Sequence, residues 1–483
     1  MKNKEFILSR KWFILLVQFV ATAVTVYFIY TIGLLPMKFF IPITASLLVL
    51  FLFMSILVYK TKGKLQVFSK ILSLVLSLSL VLGSRYLMKG GNFVNLITGA
   101  NKDTHVISVV VEKDSPYNSL TELAGKKIGA NTQMDSKNIE KSKALFLEKN
   151  LNLDSLENYT MYDSLQKDLI SNDLDAILLS ESHRSLVEEI NKDFTSQTRV
   201  VGYVTYEVES TVQKANVDVL NETFSIYLTG IDTYGPVSSV SRSDVNMIMT
   251  VNPNTNQILL TGVPRDYHVE LGTIGAMDKL THAGIYGVGE SVATLEKLLD
   301  IQIDYYLKVN FSSVEKIVDA MGGVEVYSNQ SFKTTTKPFP YINQGQNTLD
   351  GAEALSFVRE RYNLSDGDNG RVRNQQELVK GLLNRALSPS ILINFDSILA
   401  SVGDSMQMSM SDKEFKALIR NQLDTGNSWE VLQYQLEGYG GTSNSTYSMP
   451  GWDLYVMNPN YDTVNKASGM IDSMEKNERI SMQ

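Results

Sequence analysis

The chain of 483 residues contains no cysteine, and it has only four histidines and three tryptophans. Without cysteine there is no disulfide, no thiol nucleophile and no thiolate-held zinc. That lack does not by itself fix the compartment. The histidines are isolated. His105 and His183 read as surface residues, and His268 and His282 as core or surface residues without a motif partner. No Ser-His-Asp arrangement and no Walker pattern is present. Net charge is −8, so the basic excess of a nucleic-acid-binding protein is missing and no nucleic acid partner is expected.

Charge is also missing from two long N-terminal runs, Trp12 to Met37 and Phe39 to Tyr59. Both exceed the ~20 apolar residues that cross a bilayer. A third run, Leu65 to Met88, carries Lys70 and Arg85 near its ends, where both can snorkel to the interfaces. An interfacial helix is the alternative for that run. The first run is too long for a cleaved signal peptide and lacks a small-residue cleavage site. Basic residues cluster before the first run (Lys2, Lys4, Arg10, Lys11) and between the second and third (Lys60, Lys62, Lys64). Both clusters belong on the cytoplasmic side. Three spans, at about 12–35, 39–59 and 65–88, therefore place everything after Lys89 outside the cell, whereas two would leave it inside.

The rest divides into a linker at 91–104, a small α/β domain at 105–213 and a larger domain at 214–483. In the small domain, strand-like Val106–Val111 and Val200–Val212 enclose segments of helical periodicity, and some phrases resemble one lobe of a solute-binding protein. No constellation of reactive residues appears there, so a spacer or packing module is expected.

The larger domain is organised around Tyr227 to Asp266. Three apolar runs bounded by turn residues read as three strands. The second and third are joined at hairpin length by Pro253-Asn254-Thr255-Asn256. If Asn252 faces Gln257, the same register sets Asp244 opposite Arg265. Asp232, Arg242, Asp244 and Arg265 then gather at one edge of a sheet. Helices are expected at 290–300 and 311–321, the second stopped by Gly322-Gly323, followed by a strand at 324–327. Arg359-Glu360-Arg361 reads as extended, with both arginines on one face. Ser365 to Gly370 is a turn, and a helix starts at Arg371, whose N-terminus would suit an anion. Past residue 385, a helix at 412–423, a strand at 430–436, a glycine-rich loop from Gly438, a helix at 464–474 and a disordered tail from Met474 are expected. Carboxylates beside several arginines suit a phosphate-bearing ligand with a hard metal ion. Taken singly, such pairs are more often surface salt bridges.

Six ordered motifs carry a family resemblance: Gly-Ile-Asp (230–232), Arg-Ser-Asp-Val (242–245), Val-Pro-Arg-Asp (263–266), Val-Asp-Ala-Met-Gly-Gly-Val-Glu-Val (318–326), Leu-Asp-Gly-Ala-Glu-Ala-Leu (349–355) and Phe-Val-Arg-Glu-Arg-Tyr (357–362). The chain resembles the LytR-CpsA-Psr family. The resemblance implies an α-β-α domain with a mixed central sheet, behind an accessory domain and membrane helices. It implies transfer of a glycopolymer, here capsular polysaccharide, from a polyprenyl-pyrophosphate lipid onto peptidoglycan outside the membrane. Under it, Mg²⁺ is held with help from Asp232 and Asp244. Asp244 takes the proton of the attacking hydroxyl. Arg242, Arg359, Arg361, Arg371, Arg373 and Gln375 bind the pyrophosphate, and Arg265 orients the acceptor or joins the phosphate cluster. The family's Gly-Arg-x-x-Arg-Gln pattern is shifted here, because Arg373 arrives one residue early, so Arg373 either substitutes through a shifted geometry or faces solvent, and Arg371 is the firmer match. Hydrolysis of the same lipid, or its binding by a non-catalytic regulator, stay open at this point.

Overall fold

The computed structural model describes residues 10–98, 100–212, 215–231, 237–388 and 406–482. Three apolar helices come first: α1 (Lys11–Ile32), α2 (Met37–Lys60) and α3 (Gly63–Ile97). Each contains a run long and apolar enough to cross a membrane. Small polar side chains join α1 to α3, with Ser73 Oγ on Gln18 Oε1 at 2.5 Å and Thr25 on Ser84 at 2.9 Å. Close packing around such groups is how helices associate in lipid. Helix α3 continues through Gly90-Gly91, so the expected linker shrinks to the few residues before Lys102. A glycine inside a helix costs only about 1 kcal/mol, which the continuing backbone ladder outweighs.

The small domain is a five-stranded sheet built from β1 (Lys102–Glu112), β2 (Ile128–Asn131), β3 (Glu157–Tyr159), β4 (Ala176–Ser180) and β5 (Thr198–Glu209), in the order β3-β2-β4-β1-β5. Helices α4 (Ser136–Glu148), α5 (Tyr162–Ile170) and α6 (Arg184–Ile190) cover it. Contrary to expectation, neither of its histidines is a free surface residue. His183 is buried, with Nδ1 3.2 Å from Asp135 Oδ1. His105 stacks on Tyr206 with ring centroids 4.9 Å apart. The domain shares a core with the larger one: Leu179, Leu186 and Phe194 pack with Ile285, Met449 and Leu454. Buried Asp103 accepts from Val288 N at 3.3 Å and lies 3.8 Å from Lys308 Nζ.

The larger domain has a mixed six-stranded sheet. Its strands are β6 (Phe224–Ile231), β7 (Ser243–Asn252), β8 (Gln257–Gly262), β9 (Tyr305–Asn310), β10 (Met406–Met408) and β11 (Glu430–Gln435), in the order β10-β9-β6-β7-β8-β11. Side chains alternate across it, as strand geometry requires. Tyr227 and Ile248 meet one helical layer, formed by α7 (Val288–Leu299) and the C-terminal helix Tyr461–Glu475. Ile226, Leu228, Met247 and Met249 face the other side. There lie α8 (Phe311–Ala320), α9 (Gly351–Arg359), α10 (Asp368–Ala386) and α11 (Asp412–Thr425). The result is the expected α-β-α layering.

The boundary expected near 214–221 begins outside the described residues. Two expectations near the C-terminus fail. Gly438–Ser443 is a strand paired with Leu454–Pro459 rather than a loop. Its glycines weaken strand propensity, but Gly438 suits close approach, since a Cβ there would stand 2.6 Å from Asn458 O. The polar tail is ordered on the sheet edge, where Ile480 exchanges two hydrogen bonds with the Gln257 side chain and Arg479 pairs with Glu430 at 2.6 Å.

Candidate active site

Strand β7 opens with a bulge. Gly230 pairs with Val245 and Ile231 with Ser243, so Asp244 is the extra residue between them. A bulged residue leaves the ladder and its side chain is re-aimed. Asp244 thereby joins Val245, Met247 and Met249 on the wall of a cavity of about 930 Å³ between the sheet and its helices. Gly230 is required opposite, because a Cβ there would stand 2.7 Å from Val245 Cγ2. The hairpin register is the expected one: Asn252 faces Gln257 and Met247 faces Gly262. Three residues past β8, Arg265 Nη1 donates to Asp244 Oδ1 at 2.7 Å. These groups sit at the ends of central strands, not at the lateral edge of the sheet.

Four more arginines line the same end. Arg242 Nε lies 3.4 Å from Asp244 Oδ1. Arg359 sits over the Phe311 ring at 4.3 Å. Arg361 lies over the Tyr362 ring at 4.8 Å and donates to its hydroxyl at 2.8 Å. Arg371 Nη2 is held 2.6 Å from Asp368 Oδ1. Arg359 and Arg361 reach one cavity, but not from a strand. Arg359 is the last residue of α9, a helix that an Asp350–Glu353 capping box starts. The chain turns at Glu360. Its buried carboxylate accepts from the backbone N–H of Thr335, Arg361 and Asn363 and so holds the loop. Helix α10 starts three residues earlier than expected, at Asp368. An acid therefore occupies its first turn and fixes Arg371 inside the cavity.

Burial pushes the Asp244 carboxyl up, but Arg242, Arg265 and Arg371 outweigh it and bring it down to about 2. Burial and then Arg265 lower Arg371 from its ordinary value. Beyond Arg242 stands a carboxylate of the small domain, Glu189 of α6, with Oε1 3.7 Å from Arg242 Nη1. Glu189 also lies 4.0 Å from His282 Nε2, an ion-pair distance rather than a hydrogen bond. His282 is fully buried, and its Nδ1 is 2.7 Å from Asp278 Oδ1. Burial alone would lower the imidazolium, yet Asp278 and Glu189 raise it to about 9.

The folded chain thus holds this proton more tightly than the unfolded chain, whose histidine titrates near 6.5. Its contribution to stability is complete below pH 6.5 and is lost as pH rises through about 9. The thermal midpoint of the full chain is expected to fall across that window. The fall should be smaller in His282→Gln, and overlaying profiles would contradict the pairing.

A protein-family model described as the LytR_cpsA_psr family matches residues 190–461, more than half of the chain. The chain belongs to the LytR-CpsA-Psr family. A model described as DNA polymerase processivity factor matches residues 62–179, a stretch that takes in α3 and ends inside the five-stranded sheet, so it follows no structural unit. Curated relatives include polyisoprenyl-teichoic acid--peptidoglycan teichoic acid transferase TagU of Enterococcus faecalis. It is 36% identical over 242 residues, which cover 49% of this chain and 77% of that protein. The protein of the same name from Oceanobacillus iheyensis is 33% identical, covering 46% and 69%. Among solved structures, B. subtilis TagT is 26% identical with a TM-score of 0.42, covering 55% of this chain and 96% of that one.

Within the LytR-CpsA-Psr domain, Arg242, Asp244, Arg265, Arg359, Arg361, Arg371 and Gln375 come together on the cavity wall. Arg373, named with the pyrophosphate ligands but with a solvent-facing place as its alternative, is not among the lining residues. It pairs with Asp366 instead, because on a helix it points away from Arg371 two positions earlier. Asp232, the other expected metal ligand, lies outside the described residues. Sequence reasoning missed Glu189, Thr335, Thr336 and Tyr362. Tyr362 closes the quoted Phe-Val-Arg-Glu-Arg-Tyr motif, which was its available signal. Glu189 had none, since it arrives from the other domain.

Proposed function

We propose that this chain is a membrane-anchored phosphotransferase of the outer cell surface. It moves a glycopolymer, with one phosphate, from a polyprenyl-pyrophosphate carrier to a sugar hydroxyl of peptidoglycan. The observation that carries this reading is the shape and chemistry of one cavity. Its long wall is apolar and holds Met247, Met249, Met321, Met406, Met408 and Met410, and among the described residues its end holds five arginines with one carboxylate. Methionine is flexible and polarizable, so such a wall adapts to a long chain of no fixed shape. Guanidinium forks match phosphate oxygens two at a time. A lipid with an anionic head fits both parts. The names of the relatives support the reaction class, and the three apolar helices support the anchoring. Capsular polysaccharide is our choice of polymer, from the likeness of the whole chain's layout rather than from the motifs. The TagU relatives are named for teichoic acid, so both polymers belong in the assay.

In the reaction, the acceptor hydroxyl oxygen bonds to the phosphorus that carries the polymer. The bond from that phosphorus to the bridging oxygen breaks, and polyprenyl phosphate leaves with the electron pair and takes up the hydroxyl proton. Arg242, Arg265, Arg359, Arg361 and Arg371 stand where charge grows on the leaving phosphate, and preorganised donors of this kind usually contribute more to catalysis than any other single effect. A carboxylate with a pKa near 2 is a weak proton acceptor. The stronger role of Asp244 is to orient Arg242 and Arg265 and to offer an ionised oxygen. Mg²⁺ is the proposed cofactor. Asp244 fits it as a hard donor beside the phosphate site, with Asp232 as second ligand, since Mg²⁺ takes one or two carboxylates plus substrate phosphates. Bound there, it would neutralise charge on the pyrophosphate.

The test is mass spectrometry of lipid extracted from the full chain purified out of its membrane. A polyprenyl phosphate or pyrophosphate is expected. Independent preparations that carry no isoprenoid would remove the lipid reading.

A further inference from the structure

The cavity has a second end, and the membrane helices form part of it. Phe39, in the first turn of α2, lines the cavity together with Pro253, Asn421, Gly426 and Trp429. Beside it, Lys38 Nζ lies 3.2 Å from Asp424 Oδ1 of α11 and donates to the Asp424 carbonyl. The exit of α3 is fastened farther along the sheet, where Met408 faces Leu307. Ala100 N donates to Met408 O at 2.9 Å, the Tyr306 hydroxyl donates to Ala100 O at 3.1 Å, and Met408 is itself a wall residue. The α1–α2 turn and this end of the cavity therefore lie together.

The arginines lie far from it. From Asp244 at the charged end the chain follows β7 to Pro253 just past it, about 30 Å at ~3.3 Å per residue. The surroundings have the character of a bilayer surface. Next to Phe39, Met37 and Ile41 hold their apolar side chains out from the protein, 60% and 61% exposed. Trp429 places its ring on the cavity and its Nε1 on Gln422 Oε1 at 2.8 Å. An apolar body with a polar edge suits the membrane–water boundary.

We propose that this end is a portal through which an isoprenoid chain passes between bilayer and cavity, with the start of α2 as one side of the opening. The inference rests on the lipid reading above and adds the route. Apolar chain in water is penalised in proportion to its area. A mouth built partly from a membrane helix lets the tail stay in apolar surroundings from the bilayer up to the arginines. The pyrophosphate is then presented about 30 Å from the mouth, while the far part of the tail remains in the membrane.

The experiment uses the full chain reconstituted in phosphatidylglycerol–phosphatidylethanolamine vesicles, with a fluorescent polyprenyl pyrophosphate as probe. The rate of uptake into the protein is measured from vesicles and, separately, from detergent micelles. Phe39→Glu is expected to slow uptake from vesicles at least about tenfold, because its carboxylate must be desolvated at an apolar opening. Lys38→Asp sets two carboxylates side by side, and a roughly two- to fivefold slowing is expected for an exposed pair. Lys38→Asp combined with Asp424→Lys restores the pair and should restore the rate. That exchange involves only exposed side chains, so it stays informative where Phe39→Glu fails to fold. Wild-type rates in the single variants would overturn the portal, as would a wild-type chain that loads from micelles but not from vesicles. A wild-type chain that takes up no probe from either source would instead overturn the lipid reading.

Discussion

Asp244→Ala is expected to reduce polymer transfer by roughly a thousandfold or more. Removing one preorganised group that stabilises transition-state charge typically costs about 3 to 4 kcal/mol, or 10² to 10³ in rate. Asp244 does more than one such job. Its Oδ1 is 2.7 Å from Arg265 and 3.4 Å from Arg242, so its loss releases two cations from their positions. It is also the described carboxylate proposed to meet Mg²⁺. Breaking a buried pair by removing one partner typically destabilises by 3 to 5 kcal/mol. Asp244→Asn, which keeps the shape, therefore accompanies it, with melting curves for both. Folded variants of both kinds with wild-type transfer would contradict the site.

Arg371→Ala is expected to lower transfer about 10²- to 10³-fold, while Arg373→Ala stays within about fivefold. Both arginines belong to α10, and the shifted spacing of Arg373 already sets it apart from Arg371. Their surroundings differ. Arg371 is almost wholly buried on the cavity wall and tied to Asp368, so its fork is fixed before any ligand arrives. A fixed donor aimed at growing charge carries a cost of about 3 to 4 kcal/mol when lost. Arg373 pairs with Asp366 and is more than a third exposed. Such surface pairs contribute about 0 to 1 kcal/mol. The check is polymer attached to purified peptidoglycan by each purified variant. Equal losses in the two would mean that the phosphate site extends past Arg371 to the outer face of the helix.

These contrasts show which parts of the site could be read from residue order. The β7–β8 hairpin is local, so one turn length set the register, and Asp244 opposite Arg265 followed from it. The bulge that aims Asp244 at the cavity was not legible. Gly230 looks like any strand glycine until Val245 is seen packed against it. In an extended Arg359-Glu360-Arg361 both arginines share a face, but the capping box at Asp350 starts a helix that runs up to Arg359. The accessory domain offered no reactive cluster, and an expected spacer was the result. Its carboxylate at Glu189 becomes meaningful only beside Arg242, and the contribution of Phe39 only beside Trp429. Contacts between distant segments leave no periodicity in either one.

The central claim is transfer, not mere binding or hydrolysis, and one measurement separates the three. The full chain in vesicles is given a polyprenyl-pyrophosphate-linked glycopolymer, peptidoglycan and Mg²⁺, and phosphorus is followed in lipid, polymer and wall. The expected result is one polyprenyl monophosphate released for each polymer joined to peptidoglycan through a phosphodiester. Monophosphate released with the polymer phosphate left free in solution would make the chain a hydrolase, and carrier lipid retained intact would make it a binder. Either result would contradict the account.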